Sequence, residues 1–284
     1  MLFASLPGPQ TRACLADYGL NCRRYNLSFI VQNSVAIGKP IIGVSANYRL
    51  SALGFLFSSE VAGSGNTNLG LRDQRLALHW LQENIAAFGG DHTKVTIWGE
   101  SAGAFDVGMH LVAYGGRDDK LFRAAIMESG NPIAYTALNG TQSYQPLYDG
   151  LVQAVGCSDE IDTLQCLRTV PIAQLNNITQ NAPYNVSFQA TIDGDFIENY
   201  TSIQLADGRF VHVPIISGFN TDDGTLFAAM GINDDADFLN FLESEFTTSS
   251  QLQHSNMGHF FPLVSPLIFL ATERVSPEHP DWDL

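Results

Sequence analysis

The sequence has few positive charges and no long apolar run. It contains 14 Lys and Arg residues against 29 Asp and Glu residues, which gives a formal net charge of −15. Because so acidic a chain repels phosphate groups, we expect no nucleic-acid partner. No stretch approaches the roughly 20 apolar residues of a membrane-spanning helix, so we expect no integral membrane segment. The hydrophobic content of 45% still suffices for a folded core in one or two domains.

The usual sequence signatures of metal and nucleotide sites are also missing. No C-x-x-C pair occurs, and no G-x-G-x-x-G or Walker pattern follows a strand-like run. We therefore expect neither a bound metal nor a cofactor, and a nucleotide-binding α/β protein is disfavoured. Cys157 and Cys166 bracket eight residues, a spacing that suits either a small disulfide-closed loop or two buried thiols.

Five N-x-[S/T] sequons favour a secreted glycoprotein. They lie at Asn26, Asn139, Asn177, Asn185 and Asn199. The N-terminus does not match a signal peptide, because the apolar run at residues 1–6 is short and no basic residue precedes it. Secreted character without a signal peptide leads us to expect an incomplete copy of an extracellular protein.

Apolar runs of strand length alternate with helix-like segments from residue 25 onward. Strands are predicted at 41–48, 95–98, 124–127 and 213–217, and helices at 27–36, 71–88, 104–114 and 236–246. This alternation predicts an α/β fold with a mostly parallel central sheet. The polar stretch 157–200 is expected to leave the sheet.

The pentapeptide Gly99-Glu100-Ser101-Ala102-Gly103 has the G-x-S-x-G pattern of a catalytic serine turn. A serine on a sharp turn from strand to helix adopts strained dihedral angles, and the flanking glycines avoid clashes with the neighbouring backbone. The predicted strand and helix on either side supply that context. We therefore expect Ser101 to be a nucleophile, with the Ala102 amide donating to an oxyanion, rather than an incidental serine in a glycine-rich turn.

A serine nucleophile needs a base, and the base needs an acid that orients it. In α/β-hydrolases the order along the chain is nucleophile, acid, histidine. Asp222 and Asp223 follow the strand predicted at 213–217, where such an acid belongs. From position alone, both remain candidates, beside the alternative that they form an Asp-Asp-Gly surface turn.

Several segments closely resemble type-B carboxylesterases, a family that includes fungal extracellular lipases and cholinesterases. The segments are 47–49, 54–56, 70–74, 84–91, 95–103, 127–130 and 193–197. The resemblance covers residues 25–246, which leaves 1–24 as an irregular N-terminal segment and 247–284 as a tail that does not match. It implies an α/β-hydrolase fold, hydrolysis of a carboxylic ester through an acyl-serine, and a disulfide between Cys157 and Cys166.

The resemblance also assigns roles to residues. Ser101 is the nucleophile, and Asp223 stands where the family usually has its glutamate, with Asp222 as second choice. His254 is the nearest match to the catalytic histidine, although it comes early, and its alternative is a surface histidine. The other histidines that precede the acid are expected to be structural: His79, His92, His110 and His212.

Residues 1–24 contain no match to the family's glycine-rich oxyanion segment, which ends a central strand. We therefore expect a gap or a re-pairing between the strands predicted at 41–48 and 95–98. Because the resemblance places the catalytic histidine further beyond the acid than this sequence extends, we also expect a missing C-terminal part. The resulting hypothesis is an esterase or lipase that is impaired in this form. The alternative is a non-catalytic, cholinesterase-like binding or adhesion protein.

Overall fold

A computed structural model describes residues 2–5, 26–133, 140–181, 183–184, 188–223 and 230–246. Contacts divide the chain into two units, residues 1–223 and 224–284. In the described part of the chain, no helix is both long and apolar enough to cross a membrane. The sheet and the serine turn lie in the first unit.

The described residues of the first unit form a five-stranded sheet in the order β2-β1-β3-β4-β5. The strands are β1 (Leu2–Ser5), β2 (Gly43–Ser45), β3 (Thr96–Glu100), β4 (Ala124–Glu128) and β5 (Ile215–Gly218). All four pairings are parallel, so the carboxyl ends of the strands share one edge. The predicted α/β fold with a parallel sheet is confirmed.

β1 corrects the expected gap in the centre of the sheet. Leu2 pairs with Gly43 of β2 on one side and with Thr96 of β3 on the other. The strand belongs to the segment 1–24, for which the sequence predicted no regular structure. The sequence did not predict this strand because a short apolar run is the only local signal that a buried parallel strand leaves. Four residues are nevertheless enough to form hydrogen bonds with both neighbouring strands.

Ten α-helices are described. They are α1 (Ser28–Ala36), α2 (Ser51–Phe55), α3 (Ser59–Gly63), α4 (Leu69–Asn84), α5 (Ala102–Gly116), α6 (Gly140–Ala154), α7 (Thr163–Thr169), α8 (Ile172–Thr179), α9 (Thr201–Ala206) and, in the second unit, α10 (Asp235–Phe246). The helix predicted at 71–88 ends at Asn84 and continues as a 3-10 turn over Ile85–Phe88. Gly89, with a φ of 79°, then reverses the chain toward β3.

The main core lies between the sheet and the helices α4 and α5. Leu78 and Leu81 of α4, Ile97 of β3, and Val107 and Leu111 of α5 are all buried in one cluster. These spacings place apolar side chains on one face of each helix, which is the pattern that packs a helix against a sheet. The cluster fixes α5, and with it the turn at Ser101, against β3.

The polar stretch 157–200 does lie off the sheet. Cys157 and Cys166 form a disulfide that joins the segment after α6 to the middle of α7. Tyr148 and Leu151 of α6 pack there against Leu167 of α7 in a separate apolar cluster. The disulfide that the resemblance implied is therefore present.

Candidate active site

Ser101 occupies the turn between β3 and α5 in a conformation that few non-glycine residues adopt. Its φ is 55° and its ψ is −120°. Such a backbone is strained and persists only where the surrounding structure holds it. The strand ends at Glu100 and the helix begins at Ala102, so this one residue makes the whole change of direction.

Two glycines allow the backbone to approach this turn closely. A Cβ atom on Gly99 would lie 2.1 Å from the carbonyl oxygen of Gly103. A Cβ atom on Gly130 would lie 2.8 Å from the carbonyl oxygen of Ser101 and 2.7 Å from the Cβ of Ala104. No side chain fits at either position without moving backbone atoms.

Backbone hydrogen bonds hold the turn from both sides. The Ser101 amide donates to the carbonyl oxygen of Glu128 over 2.8 Å. The carbonyl oxygen of Ser101 accepts from the amides of Ala104 and Phe105 over 3.0 and 3.1 Å. The amide of Ala102 lies in the first helical turn, where N–H groups have no acceptor within the helix and can donate to an anion.

Asp222 and Asp223 follow β5 at the same edge of the sheet as Ser101. Asp223 is partly buried, whereas Asp222 is exposed. The Asp223 amide donates to the carbonyl oxygen of Asn220 over 3.3 Å, so the segment forms a turn. β4 separates β3 from β5, which puts the ends of these two strands about 10 Å apart.

None of the four histidines within the described residues lies at this edge. His92 and His212 precede β3 and β5, at the opposite ends of those strands, and His79 is exposed on α4. His110 lies nine residues after Ser101 in α5, which places it about 13 Å further along the helix. His254 falls outside the described residues, so its role as the base stays a prediction.

His110 belongs to a buried polar chain that the sequence did not reveal. Its Nε2 lies 2.9 Å from Oε1 of Gln74 on α4, and Nε2 of Gln74 donates to the Asp106 carboxylate over 2.6 Å. Burial, helped by the positive charge of Arg75, lowers the pKa of His110 to about 3, so the ring is neutral. The i, i+4 spacing of Asp106 and His110 was the available signal, because it puts both polar side chains on one face of the helix.

Three of the five sequons lie within the described residues. Asn26 and Asn177 are exposed, and Asn199 is partly buried, with its Oδ1 accepting from the Tyr200 amide over 2.7 Å. Asn139 and Asn185 fall outside the described residues. In the part of the chain that the structure describes, no three His, Cys, Asp or Glu side chains are grouped so as to hold a metal ion.

A parallel sheet with helices around it and a strained serine at the carboxyl end of a central strand define an α/β-hydrolase. The crystal structure of Aspergillus niger EstA is similar, with a TM-score of 0.72 and 32% identity over 88% of this chain and 47% of that one. The model of the carboxylesterase family matches residues 18–265. The chain therefore belongs to the carboxylesterase family, as the sequence motifs indicated.

Curated relatives agree with this assignment. Secreted lipase 1 of Botryotinia fuckeliana is 42% identical over 248 residues, which cover 84% of this chain and 41% of that protein. The inactive carboxylesterase-like protein VdtD of Byssochlamys spectabilis is 31% identical over 279 residues, which cover 91% of this chain and 46% of that protein. The chain thus spans less than half the length of each of these relatives.

Proposed function

We propose that the protein hydrolyses carboxylic esters through an acyl-enzyme formed at Ser101. The observation that carries this proposal is the backbone of Ser101, which is held in a strained turn between β3 and α5. A turn of this kind lifts the hydroxyl above the sheet edge and places helix amides beside it. Family membership supports the same reaction, and the name of the Botryotinia relative supports a lipid ester as substrate and secretion from the cell.

The reaction follows from the chemistry of these groups. The Ser101 Oγ attacks the ester carbonyl carbon while a histidine takes its proton, and the Ala102 amide stabilises the oxyanion. Collapse of the tetrahedral intermediate expels the alcohol, which takes the proton from the histidine. A water molecule then attacks the acyl-serine by the same route and releases the acid. Asp223 is proposed to orient the histidine, and His254 is proposed as that histidine.

Localisation and modification form part of the proposal. The sequons at Asn26 and Asn177 have exposed asparagines, which suits glycosylation of an extracellular protein. The sequons at Asn139, Asn185 and Asn199 are proposed as further sites. Protein from a secreting host should lose mass on treatment with an N-glycosidase, and each Asn→Gln variant should remove one glycan from the pattern.

A fluorophosphonate probe tests the proposal, because it reacts covalently with an activated serine and not with an ordinary one. We expect the chain to be labelled and the Ser101→Ala variant to remain unlabelled. Ser129→Ala is the matched control, since Ser129 also has a positive φ, 53°, and follows the neighbouring strand β4. That variant should label like the unmodified chain.

Hydrolysis of a short-chain aryl ester provides the second measurement. Turnover by the folded chain that disappears in Ser101→Ala and persists in Ser129→Ala supports the proposal. A folded chain that neither labels nor hydrolyses the ester would instead support the non-catalytic binding protein considered above.

A further inference from the structure

A cavity of about 360 Å³ lies between α2, α3, α7 and α8, away from the serine turn. Its walls are mainly aliphatic and include Leu53, Leu56, Val61, Leu164, Leu167 and Leu175. Its volume is within the range of small-molecule sites, which is about 300–1,000 Å³. No residue of the β3–α5 turn lines it, and neither does Asp223. The cavity is thus separate from the proposed active site.

The polar atoms on the cavity wall are few, and two of them are already bonded within the protein. The Thr179 hydroxyl donates to the carbonyl oxygen of Leu175 over 2.9 Å. The Asn66 side-chain amide donates to the carbonyl oxygen of Ser64 over 3.0 Å. Most of the wall therefore offers a ligand hydrocarbon contact, and hydrocarbon buried there is stabilised in proportion to the area removed from water.

Among the described residues that line the cavity, Arg168 is the one that carries a charge. It lies in the last turn of α7, it is exposed, and Nη1 is 3.4 Å from Oε1 of Gln165. Among the ion pairs of the described residues, none includes Arg168. Because no described carboxylate pairs with it, this guanidinium is placed to pair with an anion from outside.

We propose that this cavity binds a medium-chain fatty acid, with the alkyl chain between α2, α3 and α8 and the carboxylate on Arg168. The apolar wall selects a hydrocarbon chain, and the single cation selects an anionic head group. An alkyl cation would be repelled by the same guanidinium. The inference does not depend on Ser101 being a catalyst, because binding involves no bond formation.

Calorimetric titration with decanoate, kept below its critical micelle concentration, tests the proposal. The protein is the full chain carrying Ser101→Ala, so that no ester chemistry contributes to the heat. We expect saturable binding at one site. Decyltrimethylammonium, which has the same alkyl chain and the opposite charge, should bind at least tenfold more weakly.

Two variants locate the site. Arg168→Glu should weaken decanoate binding about tenfold, because an attraction is replaced by a repulsion. Arg123→Glu is the matched control, since Arg123 is also exposed, takes part in no ion pair among the described residues and does not line the cavity. It should leave the dissociation constant within twofold. Leu175→Trp should abolish binding by filling the cavity.

The outcomes separate clearly. The absence of saturable decanoate binding overturns the proposal, and so does equal affinity for the alkyl cation. Equal losses of decanoate affinity in Arg168→Glu and Arg123→Glu also overturn it, because the affinity would then depend on the net charge of the protein and not on Arg168. If Leu175→Trp fails to fold by circular dichroism, the comparison of Arg168→Glu with Arg123→Glu decides alone. If the protein binds decanoate as expected but the fluorophosphonate probe does not label Ser101, the cavity proposal stands and the proposed function is wrong.

Discussion

The backbone amide of Ser101 donates a hydrogen bond to the carbonyl oxygen of Glu128 over 2.8 Å. One strand further along the sheet, the Ser129 amide donates to the carbonyl oxygen of Gly218 over the same distance. The hydrogen bonds between neighbouring strands therefore continue for one residue past the end of β3, at Ser101, and one residue past the end of β4, at Ser129. Ser101 is the proposed nucleophile. Its position is set by the sheet backbone, so changes to that backbone should affect the site directly.

Gly99→Ala should unfold or strongly destabilise the turn. The added methyl group would lie 2.1 Å from the carbonyl oxygen of Gly103, and a backbone atom cannot move aside as a side chain can. We expect the free energy of unfolding to fall by at least about 2–3 kcal/mol in urea denaturation. Gly63→Ala is the control, because a Cβ there meets nothing within 4 Å, and its free energy of unfolding should stay equal or rise. Equal values for the two variants would contradict the close packing.

Asp223→Asn should reduce ester hydrolysis far more than Asp222→Asn. An amide in place of the orienting carboxylate favours the wrong tautomer of the histidine, which costs up to about 10⁴ in rate. The rates of aryl ester hydrolysis and of fluorophosphonate labelling both report this effect, and circular dichroism should show unchanged folding. A larger loss in Asp222→Asn would transfer the role to that residue.

Asp193→Ala should destabilise the fold, because its carboxylate joins distant segments. That carboxylate accepts hydrogen bonds from the Thr67 hydroxyl over 2.6 Å and from the side-chain Nδ2 of Asn68 over 2.8 Å. It also accepts from the Ile197 amide over 2.9 Å, and its side chain is only 1% exposed. Removal leaves several buried donors unsatisfied, so we expect a loss of about 3–5 kcal/mol in denaturant titration.

Asp195→Ala provides the comparison. Asp195 pairs with Arg72 over 2.8 Å, but its side chain is 62% exposed. An exposed ion pair contributes about 0–1 kcal/mol, so this variant should unfold near the midpoint of the unmodified chain. Similar losses in the two variants would show that burial does not distinguish these carboxylates.

The buried His110 should make stability depend on pH. Its pKa is lowered to about 3 by burial and by Arg75, whereas an unfolded histidine has a pKa of about 6.5. Between these values the unfolded state binds the proton and the folded state does not, so stability falls as the pH falls. One proton corresponds to a slope of about 1.4 kcal/mol per pH unit.

The His110→Asn variant keeps a side chain that can form a hydrogen bond with Gln74, but this side chain does not take up a proton in this pH range. The measurement is the free energy of unfolding between pH 6 and 4, taken for both proteins relative to their own values at pH 7. The variant should be less stable at pH 7 and show a smaller slope below it. Parallel curves would mean that His110 does not take up the proton on unfolding.

The parts of the fold that local sequence encodes were predictable. β3, the turn at Ser101 and α5 follow from a short apolar run, a glycine-flanked serine and a helical segment in direct succession. The 3-10 turn at Ile85–Phe88 was not separated from α4, because the apolar face continues unchanged through it.

Features that depend on distant partners were not predictable. β1 carries no local signal beyond a few apolar residues, and its place between β2 and β3 is fixed only by hydrogen bonds to both. The Asp193 contacts with Thr67 and Asn68 join residues more than a hundred positions apart. The same holds for the proposed triad. Its acid and base lie far from Ser101 along the chain, and no fixed number of residues separates them from the serine.

The position of β1 has a consequence for biosynthesis. Leu2 is translated before both of its sheet partners, and the later of the two, Thr96, lies far along the chain from it. During synthesis the edge of β1 that pairs with β3 therefore stays unoccupied until β3 has been translated. During that interval chaperones, or a premature contact with another nascent chain, compete for the open edge.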